Sequence, residues 1–234
     1  MSPAATPHPL PRHVGIIMDG NRRWAKAHGV ATLQGHRKGY ERLSSLLPIV
    51  QRLGIPYITI YAFSTENWNR AADEVAGLMK LLLWVVSHEL KKLVRQNVRV
   101  RIVGSPEHLP ADVAAALAKA EADTADCTGV TLAICFNYGG QQEMADAVRS
   151  IVTAGVPAAD ITPELVARHL YTADLPPLDL VVRTSGEQRL SGFMLWSASY
   201  AELYFTEALW PDFDEAELMA ALQAYASRGR RFGA

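Results

Sequence analysis

The sequence predicts a single-domain α/β protein, built on a mostly parallel six-stranded sheet that is flanked by helices. Apolar runs of strand length alternate along the chain with stretches of helical periodicity, a pattern typical of parallel sheets covered on both faces. The chain has 234 residues, of which 49% are hydrophobic, and this is enough for one large core. No internal repeat or shift in composition divides the chain, so we expect one domain.

Six apolar runs are the predicted strands. They cover residues 14–18, 57–63, 98–103, 130–136, 178–182 and 203–205. Amphipathic periodicity predicts helices at residues 39–53, 73–95, 110–124, 141–154, 163–170 and 215–227. Residues 1–11 are rich in Pro and Ala and lack the basic start and apolar centre of a signal peptide. We therefore predict a flexible N-terminal tail at 1–11 and a domain at 12–234.

The helix predicted at residues 73–95 is apolar on almost every side. Such a helix is usually buried in a core, which is the simpler interpretation. The alternative is that it forms one wall of a tunnel that holds a hydrocarbon.

Charge, cysteine content and hydropathy exclude several classes of protein. The formal net charge is -1, so the chain lacks the generally basic surface of a nucleic-acid-binding protein and no nucleic-acid partner is expected. Cys127 and Cys135 match no metal-ligand spacing, which predicts free thiols and a cytoplasmic location. The longest apolar run, residues 81–86, is far shorter than the roughly 20 residues that span a bilayer. Any membrane contact is therefore expected to be peripheral.

The strand predicted at residues 14–18 delivers Asp19 into a turn that is crowded with cations. Asp-Gly and Gly-Asn pairs form turns by backbone chemistry alone, so a plain turn is the alternative interpretation. However, Arg22 and Arg23 follow at once, and His36 with further basic residues comes soon after. One carboxylate among several cations suits a divalent metal together with a bound anion, so we predict a phosphorylated ligand.

Two more polar clusters follow predicted strands and are expected at the same edge of the sheet. Residues 64–70 follow the second strand, although as structure alone they would be a capped loop entering a helix. Arg183, Arg189 and Ser191 follow the strand at 178–182. Their guanidinium and hydroxyl groups suit the oxygens of a second diphosphate.

Several common phosphate-binding and catalytic motifs do not occur in the sequence. Gly15 and Gly20 have the glycine spacing of a P-loop, but Asn21 and Arg22 stand where Lys and Ser or Thr are required. No Gly-x-Gly-x-x-Gly, Gly-x-Ser-x-Gly or His-Glu-x-x-His pattern is present. The chain has no Asp-Asp pair, which excludes the aspartate-rich motif of the trans-type prenyl synthases.

Five segments in order form a pattern that is far more specific than any one of them. They are Met18-Asp19-Gly20-Asn21-Arg22-Arg23-Trp24-Ala25, Gly35-His36, Tyr61-Ala62-Phe63-Ser64-Thr65-Glu66-Asn67-Trp68-Asn69-Arg70, Asn137-Tyr138-Gly139-Gly140 and Arg183-Thr184-Ser185-Gly186-Glu187-Gln188-Arg189. This pattern, continued at residues 195–213 and 230–233, resembles the cis-prenyltransferases, the undecaprenyl diphosphate synthase family. The resemblance implies a homodimeric, Mg²⁺-dependent enzyme with a hydrophobic tunnel. Such an enzyme condenses isopentenyl diphosphate with an allylic diphosphate and leaves each new double bond cis.

The resemblance also implies roles for individual residues. Asp19 would be a catalytic metal ligand that helps the allylic diphosphate to leave, and Glu202 would be the second metal carboxylate. Asn67 would be the other catalytic residue; because a neutral amide is a very weak base, we expect it to orient groups while the departing diphosphate takes the proton. The allylic diphosphate would be bound by Gly20, Asn21, Arg22, Arg23, His36 and Arg70, and isopentenyl diphosphate by Arg183, Arg189 and Ser191. Further substrate contacts would come from Trp24, Ser64, Thr65, Glu66, Trp68 and Leu190.

Three positions depart from the family pattern. Thr32 stands where an Arg is expected, so one diphosphate ligand is missing and the preferred allylic starter stays open. Gly192 and Ser197 stand where Asn and Gln are expected. The basic residues 230–233 are either a solvated end or, as the resemblance implies, a segment that reaches the partner's active site.

We favour a long product of the undecaprenyl type, because small Ala62 leaves the tunnel entrance open and neither Ala76 nor Gly77 blocks its wall. A short-chain cis-prenyl diphosphate synthase is the alternative within the class. A non-catalytic partner subunit is a rival from another class, although the intact site residues argue against it. A phosphatase with Asp19 as nucleophile is a further rival, but it would need Asp at position 21, where the chain has Asn.

Overall fold

The computed structural model describes residues 9–228, and its six strands form one sheet. Every pair of neighbouring strands is parallel, which confirms the predicted α/β architecture. The strands are β1 (His13–Ile17), β2 (Tyr57–Ser64), β3 (Arg99–Val103), β4 (Thr131–Tyr138), β5 (Leu180–Arg183) and β6 (Glu202–Phe205). Their order across the sheet is β3-β4-β2-β1-β5-β6.

Seven α-helices accompany the sheet within residues 9–228. They are α1 (Asn21–Ala27), α2 (Thr32–Leu53), α3 (Ala72–Arg95), α4 (Ala111–Asp123), α5 (Gly140–Thr153), α6 (Pro163–Arg168) and α7 (Glu215–Ser227). Most agree with the predicted helices to within two residues. The exceptions are α1, which lies outside the predicted helices, and α2, which begins at Thr32 rather than at residue 39.

The early start of α2 brings two glycines into its first turns, where they allow α1 to approach closely. A side chain at Gly35 would collide with the backbone carbonyl of Asn21, and one at Gly39 would collide with the Asn21 side chain and lie 2.8 Å from Trp210. Glycine lowers helix propensity by about 1 kcal/mol relative to alanine, so the helical signal at these positions is weak. Tertiary packing of α1 on α2 explains the residues that the periodicity missed.

The two faces of the sheet pack against different parts of the chain. Ile16 of β1 lies in the larger core with Leu46 of α2 and Leu222 of α7. Ile17 contributes to the second core, where it is grouped with Phe193. Because successive residues of a strand point to opposite faces, β1 is buried on both sides, as its unbroken apolar run predicts.

The strands that follow β1 in the sequence are added first on one side of it and then on the other. Strand β2 pairs with one side of β1 and β5 with the other, so the carboxyl ends of these three strands lie side by side. Ile17 is level with Arg183 of β5, and β2 continues to Ser64. Such a change of side leaves a crevice outside the carboxyl ends of the strands, where open α/β sheets bind ligands. The three polar clusters predicted from the sequence therefore meet at one crevice.

The packed part of the chain begins before the predicted boundary at residue 12. Leu10 packs against the larger core, and Pro11 is buried. Residues 1–8 of the predicted tail and the basic residues 230–233 lie outside the described residues.

Cys127 and Cys135 are both buried and both free, in agreement with the predicted thiols. Among residues 9–228, no helix is long and apolar enough to cross a membrane.

We expect Gly39→Ala to lower the free energy of unfolding by about 1–3 kcal/mol, because the added methyl group overpacks the contact between α1, α2 and Trp210. Gly77→Ala is the matched control. Gly77 also lies inside a helix, but an added Cβ would meet Leu33 at an ordinary 3.5 Å, so this variant should be at least as stable as the wild type. Urea unfolding measures both, and equal losses in the two variants would contradict the close helix contact.

Candidate active site

Asp19 lies just beyond β1 and is held between two guanidinium groups. Its Oδ2 accepts a hydrogen bond from Arg183 at 2.9 Å, and its Oδ1 is 3.3 Å from Arg23. The Thr184 hydroxyl lies 2.9 Å from the backbone N–H of Asp19 and donates to its carbonyl at 2.6 Å. Burial alone would raise the pKa of the Asp19 carboxyl, but the hydrogen bonds and charges of Arg183 and Arg23 outweigh it and lower the pKa. Asp19 is thus an ionised carboxylate that is fixed in position.

Arg183 ends β5 and joins β1 to the loop that follows β5. Its side chain is only 5% exposed, and its guanidinium donates to Asp19, to the Ser191 hydroxyl at 2.8 Å and to the backbone carbonyl of Arg189. A buried guanidinium that makes several hydrogen bonds is held rigidly. Arg183 therefore sets the position of both Asp19 and Ser191.

A carboxylate that the sequence did not single out lies among the cations on the other side of the crevice. Glu74, near the start of α3, is 2.9 Å from Arg70, 3.8 Å from His36 and 3.9 Å from Arg22. Its side chain is 14% exposed. Glu74 therefore acts as a shared counter-ion for Arg22 and Arg70 and also lies beside His36, and the sequence predicts all three as diphosphate ligands.

His36 is neutral at physiological pH. Burial, together with the positive charges of Arg70 and Arg22, lowers its pKa to about 4 against the opposing effect of Glu74. The Nε2 atom of His36 is buried and makes no hydrogen bond within the described residues. The same is true of the Asn21 side-chain oxygen. Two buried polar atoms next to the crevice thus lack a hydrogen-bond partner within the described residues.

The cluster after β2 forms a short 3-10 turn at Thr65–Asn69. Ser64 and Asn67 cap this turn reciprocally, and the Asn67 side-chain oxygen accepts a hydrogen bond from the backbone N–H of Ser64 at 3.2 Å. The predicted capped loop is therefore present, and it also carries functional side chains. With its oxygen engaged, Asn67 leaves its amide N–H groups for other partners.

These groups surround two connected polar cavities of about 300 and 500 Å³. The smaller cavity is lined by Met18, Asp19, Gly20, Asn21, Arg22, Arg23, His36 and Arg70. The larger one shares five of these residues and adds Ser64, Glu66, Asn67, Arg183 and Ser191 among others. The structure thus brings together twelve of the predicted site residues from three separate segments of the chain.

A third, mainly apolar cavity of about 170 Å³ opens from the polar crevice. It lies between α2, α3 and the sheet, and it shares Met18, Asn21, His36, Ala62 and Leu78 with the larger polar cavity. Leu81 and Leu82 of α3 also line it. This helix therefore forms one wall of an apolar cavity, in agreement with the alternative interpretation of the apolar helix predicted at residues 73–95. Ala62 lies at the opening, also as expected. Gly77 instead faces Leu33, and neither Ala76 nor Trp84 lines this cavity.

Several predicted substrate ligands do not line these cavities. The indole N–H of Trp24 bonds to Asp212, and that of Trp68 bonds to Asn137. The guanidinium of Arg189 is exposed and pairs with Glu187. Thr65 and Leu190 are likewise absent from the walls of the three cavities, as is Thr32, which stands where the family pattern has an Arg. The contacts of Trp24 and Trp68 instead join the segments around the crevice.

Glu202 lies far from Asp19 within one chain. It begins β6 level with Leu180, whereas Asp19 lies beyond the opposite end of the neighbouring strands. Its carboxylate accepts a hydrogen bond from Arg228 at 2.8 Å. Consistently, no group of three or more His, Cys, Asp or Glu side chains among residues 9–228 is arranged to hold a metal ion.

Sequence reasoning missed residues whose importance depends on the fold. Glu74 is one, and Ser185 is another, since its backbone carbonyl accepts a hydrogen bond from Arg23 at 2.9 Å. Ser185 has a φ of 73° and lies in the Arg183–Arg189 segment. The many polar residues of that segment could have indicated that Ser185 belongs to the site. No local pattern could have indicated Glu74, because acidic residues are common in the first turn of any helix.

Comparison with known proteins identifies the family. The family model for undecaprenyl diphosphate synthases matches residues 17–233, which is most of the chain. The chain belongs to this family. The resemblance predicted from the sequence motifs is thereby confirmed.

Relatives of this cis-prenyltransferase match over nearly their whole length. An isoprenyl transferase of Neisseria gonorrhoeae is 44% identical over 96% of the chain and 90% of its own length. The ditrans,polycis-undecaprenyl-diphosphate synthase ((2E,6E)-farnesyl-diphosphate specific) of Salmonella typhi is 47% identical over 95% of the chain and 90% of its own length. The crystal structure of lavandulyl diphosphate synthase from Lavandula x intermedia in complex with dimethylallyl diphosphate is similar with a TM-score of 0.91 and 36% identity. That similarity covers 96% of this chain and 99% of the other.

We expect the stability of the protein to fall as the pH is lowered from 6.5 to 4, partly because of His36. Its pKa is about 4 when folded and about 6.5 when unfolded, so the unfolded state binds the proton first in this range and is favoured. His36→Gln should flatten the dependence of unfolding free energy on pH by up to about 1.4 kcal/mol per pH unit. Exposed His88, replaced by Gln, is the control. An unchanged slope in His36→Gln would show that His36 is not buried in its neutral form.

Proposed function

We propose that this cis-prenyltransferase condenses isopentenyl diphosphate with an allylic diphosphate and so extends a Z-polyprenyl diphosphate. The observation that carries the proposal is the junction of a cationic crevice with an apolar cavity. Diphosphates require the first environment and isoprenoid chains require the second. A substrate that has both parts can lie across the junction at Asn21, His36 and Ala62.

The allylic diphosphate belongs on the Glu74 side of the crevice. Arg22, Arg23 and Arg70 supply its positive charge, and neutral His36 can supply one hydrogen bond. No side chain caps the first N–H groups of α1, and the first three residues of this helix line the smaller cavity. The hydrocarbon of this substrate then extends into the apolar cavity.

Isopentenyl diphosphate belongs on the β5 side. Arg183 and Ser191 line the larger cavity there, and they are already joined by a hydrogen bond of 2.8 Å. Arg189 is exposed and bonded to Glu187, so it can turn towards a diphosphate without leaving a buried charge unpaired. The two diphosphates then lie on either side of Asp19.

The donors present fit Mg²⁺ that is held jointly by the protein and a substrate. Mg²⁺ is commonly bound by one or two carboxylates together with substrate phosphates and water, and Asp19 offers an ionised carboxylate at the wall of both polar cavities. When bound, the ion would neutralise charge on the departing diphosphate. Because Glu202 lies far from Asp19 within one chain, we propose that it joins this site from a second copy of the chain in a homodimer.

The residues of the crevice account for the remaining chemistry. The allylic C–O bond breaks and its electron pair leaves with the diphosphate, whose added charge the guanidinium groups stabilise. The double bond of isopentenyl diphosphate supplies the electrons of the new C–C bond, and a proton then leaves the adjacent carbon. The released diphosphate accepts this proton, while the amide of Asn67 orients the reacting groups.

We favour a long product of the undecaprenyl type, in line with the name of the Salmonella typhi relative. The short-chain alternative is supported by the small size of the apolar cavity in the absence of substrate. We also propose a cytoplasmic enzyme, in accordance with its two free thiols, that contacts the membrane peripherally when it releases product.

The decisive experiment incubates the purified protein with Mg²⁺, labelled isopentenyl diphosphate and starters of two or three isoprene units, and then sizes the products. A ladder of Z-polyprenyl diphosphates supports the proposal. A ladder that reaches long chains favours the undecaprenyl type, and a stop after one addition favours the short-chain synthase. Failure to release diphosphate with any starter would support the non-catalytic subunit instead.

We expect Asp19→Asn to lower kcat by about 100-fold or more, because it removes the charge that holds Mg²⁺ while keeping the shape of the side chain. Asp179→Asn is not a suitable control, since Asp179 supports the backbone of β1. Asp160→Asn replaces an exposed carboxylate far along the chain and should leave kcat unchanged. Normal turnover in Asp19→Asn, or a phosphate trapped covalently on Asp19, would contradict this role.

A further inference from the structure

A polar cluster lies on the wall of the apolar cavity, away from the diphosphate crevice. Tyr40 and Ser44 are one helical turn apart on α2, and both line the cavity. Across the seam between the helices, Lys92 of α3 donates a hydrogen bond to Ser44 at 2.9 Å. The Tyr40 hydroxyl lies near Ser44 and near the carboxylate of Glu89 on α3, whose negative charge adds to burial in raising the pKa of Tyr40. We name these four residues the seam cluster.

Aromatic contacts fix the ring of Tyr40 from outside the cavity. Trp84 of α3 meets it edge to face, with 6.4 Å between ring centroids. The guanidinium carbon of Arg37 lies 5.3 Å from the centre of the Trp84 ring and holds that side chain in turn. Burial and the Glu89 carboxylate raise the pKa of Tyr40, so its hydroxyl remains a donor at neutral pH. Tyr40 therefore packs α2 against α3 through its ring, while its hydroxyl lies near the polar side chains of the seam.

The apolar cavity is too small for a growing polyprenyl chain. A cavity of about 150 Å³ accommodates a single benzene molecule. The 170 Å³ available here therefore suits little more than one isoprene unit. An enzyme that adds several units must enlarge this space.

The seam between α2 and α3 is the wall that can give way. On the opposite side, Leu132 and Ile134 belong to β4, which is paired with β2 and β3 through backbone hydrogen bonds. At the seam, α2 and α3 are connected by side chains only, and the seam cluster supplies the polar contacts there that lie beyond the His36–Glu74 contact at the crevice. Side-chain contacts can be exchanged for water or lipid contacts at much lower cost than a central strand can be displaced.

We propose that the seam cluster is a latch between α2 and α3 that sets the length of the product. The growing chain extends until further growth requires Tyr40 to move and the Lys92–Ser44 contact to break. Product length is then determined by how firmly the latch holds, as well as by the side chains at the bottom of the cavity. This inference rests on the proposed function, and it assigns the specificity of that site to residues that touch neither diphosphate.

The test compares product ladders made by the full-length enzyme and its variants with labelled isopentenyl diphosphate and a starter of three isoprene units. Tyr40→Ala removes the ring and should lengthen the longest product by at least one isoprene unit. Lys92→Met frees Ser44 from α3 and should shift the distribution towards longer chains. Lys91→Met is the matched control: it makes the same change one residue away, but Lys91 is exposed and lines the groove between α3 and α4. Its ladder should equal that of the wild type.

Tyr40→Phe keeps the packing of the ring and removes only the hydroxyl, so it is the variant to use if Tyr40→Ala does not fold. It should produce a smaller shift towards longer products. Wild-type ladders from both Lys92→Met and Tyr40→Phe, or an equal shift in Lys91→Met, would overturn the latch. A wild-type enzyme that adds no isoprene unit to any starter would instead overturn the proposed function, and the inference with it.

Discussion

The ion pair between Asp19 and Arg183 is the interaction on which the site depends. It joins the ends of β1 and β5, two neighbouring strands that come from opposite ends of the sequence. Because Arg183 is almost completely buried, its charge must be compensated locally, and Asp19 provides that compensation. The same guanidinium holds Ser191, so one buried cation arranges both the carboxylate that is proposed to bind the metal and the loop that is proposed to bind isopentenyl diphosphate.

The opposite side of the crevice uses the reverse arrangement. There a single carboxylate, Glu74, compensates Arg22 and Arg70 and also lies 3.8 Å from neutral His36. The two guanidinium groups would otherwise repel one another and turn towards solvent. Glu74 also belongs to α3, the helix that continues as the wall of the apolar cavity. The charge balance of the diphosphate site and the shape of the hydrocarbon site are therefore carried by one helix, so movement of α3 would affect both.

Much of this arrangement could be predicted from local sequence. Unbroken apolar runs predicted the strands, and polar clusters after three of them predicted the crevice, because the ends of neighbouring parallel strands must meet. The start of α2 could not be predicted, since its glycines are explained only by contact with Asn21. The distance between Glu202 and Asp19 follows from the register of β6, which no local pattern encodes. Glu74 and the seam cluster likewise depend on how α2 and α3 pack.

The central claim is that one crevice holds two separate diphosphate sites, one on each side of Asp19. Calorimetric titration of isopentenyl diphosphate alone into Arg183→Gln and Arg70→Gln tests this most directly. The account predicts that Arg183→Gln weakens binding by about tenfold or more, since a hydrogen-bonded charge contributes about 1.5–3 kcal/mol, while Arg70→Gln leaves the affinity close to that of the wild type. Equal weakening in both variants, or weakening in Arg70→Gln alone, would contradict the two-site crevice.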